Sequence, residues 1–141
     1  MDIRPRCQFT EGSITLPDGY QEQTVNIIIA PDAPALNISR DQLHEGEDLT
    51  RYLTRQKGLL EKSLRDWQLL EEQDAQLGDN LLQGALLLSR YRPKKGQQVY
   101  QYQAVFLRDE SKVLIFTMSS PQAFTETQRQ WLNDCLNSFQ F

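Results

Sequence analysis

The sequence predicts an α+β fold, an antiparallel sheet with two helices packed on it. Three observations predict it. Short β-branched or alternating runs are punctuated by Gly, Pro and Asp turns. Two stretches carry apolar residues at three- and four-residue spacing, one mid-chain and one at the end. The order strands, helix, strands, helix then belongs to one α+β domain. At 141 residues and 16.4 kDa the chain suits a single domain over 1–141, with enough length to bury a core.

Cys7 to Phe9 and Ser13 to Leu16 flank Glu11-Gly12, a hairpin signal. Pro17-Asp18-Gly19 is a turn in which Pro presets φ, Asp caps locally and Gly accepts a positive φ. Gln23 to Ile29 reads as a strand with Val25, Ile27 and Ile29 on one side and Thr24, Asn26 and Ile28 on the other. Pro31 and Pro34 bracket a loop, and Ala35 to Arg40 resumes as strand. Gly46-Glu47-Asp48 sets acidic groups at a helix start, where the macrodipole favours them. Leu49, Tyr52, Leu53, Gln56, Leu60 and Leu64 form the stripe that follows. Trp67–Asp74, Leu81–Tyr91, Gln97–Arg108 and Lys112–Ser119 read as a meander, although Leu81–Leu88 also fits a helix. Thr125-Glu126-Thr127-Gln128 is a capping box, and Phe124, Trp131, Leu132, Cys135, Leu136 and Phe139 form the apolar face behind it.

Composition narrows the function. A mean hydropathy of −0.58 and no apolar run near the roughly 20 residues of a spanning helix argue for a soluble protein without membrane insertion. Fifteen basic against 19 acidic residues, a net charge of −4 and no basic stripe argue against a nucleic-acid partner. Met1 to Arg6 lacks the apolar stretch of an export signal, so the expected location is cytoplasmic, with both cysteines reduced.

Chemistry-bearing patterns are sparse. His44 is the single histidine, and the Asp41–Asp48 cluster lacks the spacing of a calcium loop, so neither a metal nor a cofactor is expected. Cys135 lies in an apolar stripe and Cys7 near a chain end, which leaves Cys–His catalysis as a minor alternative. No Gly-rich phosphate cradle is present, and Glu71-Glu72 alternate across a strand. The sequence reads as a binding protein and not an enzyme. The informative feature is surplus apolar surface: both faces of Gln23–Ile29 carry aliphatics, which fits either a strand buried on both sides or an open groove for a partner. Gln56, Gln101 and Gln103 interleave with it, either as ordinary surface residues or as inward-facing amides that need hydrogen-bond partners, as a groove for a helix with some polar positions would supply.

Leu16-Pro17-Asp18-Gly19-Tyr20 followed by Gln23-Thr24-Val25-Asn26-Ile27, then Ile38-Ser39-Arg40-Asp41 and Tyr52-Leu53-Thr54-Arg55-Gln56, resembles the EagR-type chaperones of type VI secretion systems, nearly end to end. Tyr20 stands where Trp is usual in that family, Glu22 where Asp is usual, and the Pro often found after the residue matching Leu64 is missing. The resemblance implies a DcrB-related, PsbP/Mog-like fold, a homodimer, and a client: the N-terminal transmembrane segments of a PAAR- or Rhs-type effector, shielded in the cytosol before loading onto the VgrG spike. It also implies a client groove of Val25 and Ile27 on the third strand, Leu64 at the end of the first helix, and Gln56 and Gln103 as polar contacts. The alternatives on the same fold are a Mog-like GTPase-binding module, for which an acidic surface patch is the feature to seek, and a photosystem-type extrinsic subunit.

Overall fold

A computed structural model describes residues 3–141. An N-terminal hairpin of β1 (Arg6–Phe9) and β2 (Gly12–Thr15) stands beside a six-stranded antiparallel sheet. The sheet contains β3 (Asn26–Ala30), β4 (Ala33–Gln42), β5 (Gln68–Leu77), β6 (Leu82–Tyr91), β7 (Val99–Leu107) and β8 (Lys112–Ser120), in the order β3-β4-β8-β7-β6-β5. Helix α1 (Leu49–Ser63) joins β4 to β5, and α2 (Glu126–Asn137) closes the chain. The expected meander is therefore present, and Leu82–Leu88 is strand. No helix among the described residues is long and apolar enough to cross a membrane.

Turn chemistry sets the strand ends. Asp109 accepts from the backbone N–H groups of Ser111 and Lys112, both at 3.0 Å, which closes the β7–β8 turn. In the β5–β6 turn Gly78 and Asn80 take φ of +65° and +60°, a region that favours these two residue types. The loop expected between Pro31 and Pro34 is shorter than that: the strands turn over Pro31 and Asp32, and Pro34 lies inside β4. It sits where the β3–β4 register shifts, at the sheet margin, where a residue without an N–H is tolerated.

The helices pack on opposite faces of the sheet. Leu36, Tyr102, Ala104, Phe106, Phe116 and Met118 gather under Leu132 and Leu136 of α2. The alternate residues Ala85, Leu87, Val105 and Val113 gather under Tyr52 of α1, flanked by Leu49 and Leu53. A sheet covered on one side alone carries polar residues on the other. Here β6 and β7 are apolar on both sides because each side has its own helix. Glu71 and Glu72 report the same geometry: neighbours on β5, they reach Arg129 of α2 and Lys57 of α1 respectively.

Both helices start on the caps that the sequence supplies. The Asp48 carboxylate accepts from the Arg51 N–H at 2.8 Å, and Thr125 and Gln128 form the reciprocal capping box.

Candidate functional site

Strand β3 lies at the edge of the sheet, with β4 as its single neighbour. The reading of Gln23–Ile29 as a strand buried on both sides is thereby corrected. A β-branched run looks alike at the centre and at the edge of a sheet, because alternation reports faces and not neighbours. The aliphatic side chains here are open: Ile27 is 60% exposed, Ile28 46% and Ile29 80%. Val25 precedes the strand proper and is 51% exposed. Four exposed aliphatic side chains within five positions, interrupted by Asn26, are uncommon on a monomer.

The register carries one row of side chains across all six strands on the α1 face. It runs Ile27, Asn37, Thr117, Gln103, Leu87, Glu72. At its β5 end Glu72 pairs with Lys57, and Leu87 lies beneath the helix. From Gln103 to Ile27 the row lies on the stretch of this face between α1 and the sheet edge. Gln101 and Ser119 continue its floor, with Gln101 Nε2 donating to Ser119 Oγ at 3.2 Å. This stretch, called the trough below, presents amides and hydroxyls, with the aliphatic residues of β3 (the lip) at its outer side and α1 (the wall) at its inner side.

Of the residues singled out from the sequence, Ile27 and Gln103 share this row, three strands apart, or roughly 14 Å at 4.8 Å per strand. Val25 leads into the same lip. Gln56 is half-buried on α1, one turn beyond Tyr52 and Leu53. Leu64 is half-buried at the α1 C-cap, where its N–H donates to the Leu60 carbonyl at 2.9 Å. It stands at the far end of the wall, away from the β3 lip.

The sequence did not reveal what holds β3 in place. Arg40 Nη1 donates to Asn26 Oδ1 at 2.7 Å and to the Thr24 carbonyl at 3.3 Å, pinning the entry to the strand. The neighbouring Asp41 accepts from the Tyr52 hydroxyl at 2.7 Å and so anchors α1 to β4. Burial, reinforced by that carboxylate, pushes the Tyr52 phenol well above its usual range and keeps it a donor. Arg55 lies over the Tyr52 ring, 5.2 Å from its centroid, and binds both oxygens of Glu47 at 2.9 Å. That fork holds the Glu47 carboxyl down at about 2 against the pull of burial. The Arg40-Asp41 and Arg55 motif residues therefore build the frame on which the lip and the wall stand.

The remaining candidates have local roles. The acidic stretch before α1 is divided among the Tyr52 anchor, the Arg55 fork and the Asp48 cap. Cys7 donates to Glu22 Oε1 at 3.2 Å, and this bond raises its thiol pKa; burial does the same to Cys135. Neither thiol is activated as a nucleophile. Among the described residues no grouping of His, Cys, Asp and Glu could hold a metal ion. On the α2 face, a hollow of about 360 Å³ between α2 and β5 is lined mainly by Gln73, Gln76, Gln83, Asn133 and Asn137, too polar to receive an apolar segment.

No curated protein matches the chain. A solved structure that is similar is that of PA94 from Pseudomonas aeruginosa, a protein of unknown function. The two align with a TM-score of 0.71 at 21% identity, over 96% of this chain and 94% of that one, which establishes a shared fold. The DcrB family matches residues 11–138, a span that takes in the hairpin turn, the β3 lip, the trough and both helices; the chain belongs to the DcrB family.

Proposed function

We propose that the protein is an accessory chaperone with no catalytic role of its own. It receives the apolar N-terminal helices of a secreted PAAR- or Rhs-type effector in the cytosol, shields them, and supports loading of the effector onto the VgrG spike. The observation that carries the reading is the exposed aliphatic lip of Val25, Ile27 and Ile29 beside a polar trough floor.

The chemistry suits such a client. A membrane-spanning helix satisfies its own backbone, but in water its side chains drive aggregation. The lip covers aliphatic side chains, while Gln101, Gln103, Asn37 and Thr117 offer hydrogen bonds to the small polar residues that such helices carry. Buried apolar area contributes about 25 cal/mol per Å², so covering several hundred Å² supplies on the order of 10 kcal/mol before ordering costs. Gln56 and Leu64 act from the helical wall.

The test is co-expression of the protein with an effector's N-terminal apolar segment. The reading predicts a soluble complex with the unaltered protein and an insoluble segment with the Val25→Asp, Ile27→Asp double variant. A segment that stays equally soluble with both contradicts it.

A further inference from the structure

Charge is distributed unevenly between the two ends of the strands. Where β5 begins, β6 ends and β7 begins, Lys62, Arg65, Arg90, Arg92, Lys94 and Lys95 come together. Two joined loops carry most of them. The Gln97 N–H donates to the Lys94 carbonyl at 3.0 Å and closes the β6–β7 turn, while the Arg92 N–H donates to the Arg65 carbonyl at 2.9 Å and ties that turn to the loop after α1. Glu61 and Asp66 are the carboxylates on these segments. Arg90 donates to Gln68; the other five cations are exposed, and among the described residues none of the five has an ion pair. At the opposite end the loops hold Glu45, Glu47, Asp48, Asp79, Asp109 and Glu110. Arg108 and Lys112 on the β7–β8 turn and Arg51 and Arg55 of α1 offset these only in part.

We infer that this basic end docks on an anionic membrane surface, held by charge and without insertion. Strands of nine and ten residues separate the two ends by about 30 Å. Charges are screened over about 8 Å at physiological salt. The basic end therefore meets a layer of fixed anions as a cation, although the whole chain carries −4. The five exposed cations have no partners that fix their geometry. They suit many interchangeable headgroup phosphates better than a single acidic peptide, which gains from bidentate, pre-formed contacts. None of the large exposed apolar side chains lies between Arg90 and Val99, so contact stays at the level of the headgroups. End-on docking leaves the β3 lip and the trough clear of the bilayer. The inference goes beyond the chaperone reading and does not rest on it.

The test is co-sedimentation of the full chain with vesicles of equal parts phosphatidylcholine and phosphatidylglycerol, beside vesicles of phosphatidylcholine alone. Binding is expected to the first and not to the second. It is expected to disappear between about 0.1 M and about 1 M salt, as the screening length shrinks from about 10 Å to about 3 Å. Each basic side chain at such a surface strengthens binding roughly fivefold, so Lys94→Gln with Lys95→Gln is expected to weaken it about 25-fold. Arg108→Gln with Lys112→Gln makes the same change of net charge at the other end and is expected to leave binding unaltered, as is Ile27→Asp. No binding to the anionic vesicles overturns the inference, and so does equal weakening by the two Gln pairs, which would make net charge the cause. Equal binding to both kinds of vesicle overturns it in favour of the apolar lip. Retention of a poly-glutamate peptide where vesicles are not retained overturns it in favour of an acidic protein partner.

Discussion

Ile27→Asp separates the binding role of β3 from a structural one. Ile27 is 60% exposed, so most of its burial is still available to a partner. Fully burying an isoleucine contributes about 1.5–3 kcal/mol, which leaves roughly 1–2 kcal/mol to be gained at this position on binding. An aspartate in its place loses that gain and adds the cost of drying a carboxylate, at least about 2 kcal/mol. The sum is about 3 kcal/mol or more, or roughly a hundredfold weaker binding. The folded chain itself loses little, because the position faces solvent at a sheet edge; the melting temperature is expected to hold within about 2 °C. Fluorescence anisotropy with a dye-labelled apolar helix of roughly 20 residues, diluted out of detergent, reads the affinity. A variant that unfolds would make Ile27 a core residue, and one that binds as tightly as the parent would remove β3 from the site; either result refutes the reasoning.

Three further outcomes follow from local geometry. A β-carbon added at Gly84 meets the Val105 carbonyl oxygen at 1.9 Å and Phe106 Cδ1 at 2.7 Å, and paired strands cannot separate to admit it. Gly84→Ala is expected to cost about 3 kcal/mol and to lower the melting temperature by about 10 °C, whereas Gly58→Ala, in open space on α1, is expected to stabilise by up to about 1 kcal/mol. Glu47 is held at about 2 in the folded chain, chiefly by its bonds to Arg55, against an ordinary 4.5. Its contribution to stability is therefore present above about 4.5 and fades as pH falls toward 2. Glu47→Gln should flatten that part of the acid limb when urea midpoints are measured across the range.

Much of this architecture is legible in the sequence because its signals are local. The capping box at Thr125, the acidic helix start at Glu47-Asp48, the polar turns between β5 and β8 and the stripe from Leu49 to Leu60 each follow from residues within a few positions of one another. What was not legible is non-local. Alternation in Val25–Ile29 identifies a strand but cannot say that it has a neighbour on one side only. Both faces of β6 are apolar in the sequence, yet only the packing reveals that α1 covers one and α2 the other. The row joining Ile27 to Gln103 depends on three successive pairings across residues far apart in the chain. Arg40 and Asp41 read as a motif before the structure assigns them work, one pinning Asn26 and the other anchoring Tyr52. Pro34 suggested a loop because proline is rare in strands, and at a sheet margin that rule yields.

The central claim is that the β3 lip and its trough hold the apolar helices of a protein client. The most direct measurement is affinity capture of the tagged protein from a lysate of its own cells beside the Ile27→Asp variant, with mass spectrometry of both. The account predicts one large protein with apolar N-terminal segments in the first sample and its absence from the second. The same client in both, or a GTPase in place of such a protein, contradicts it.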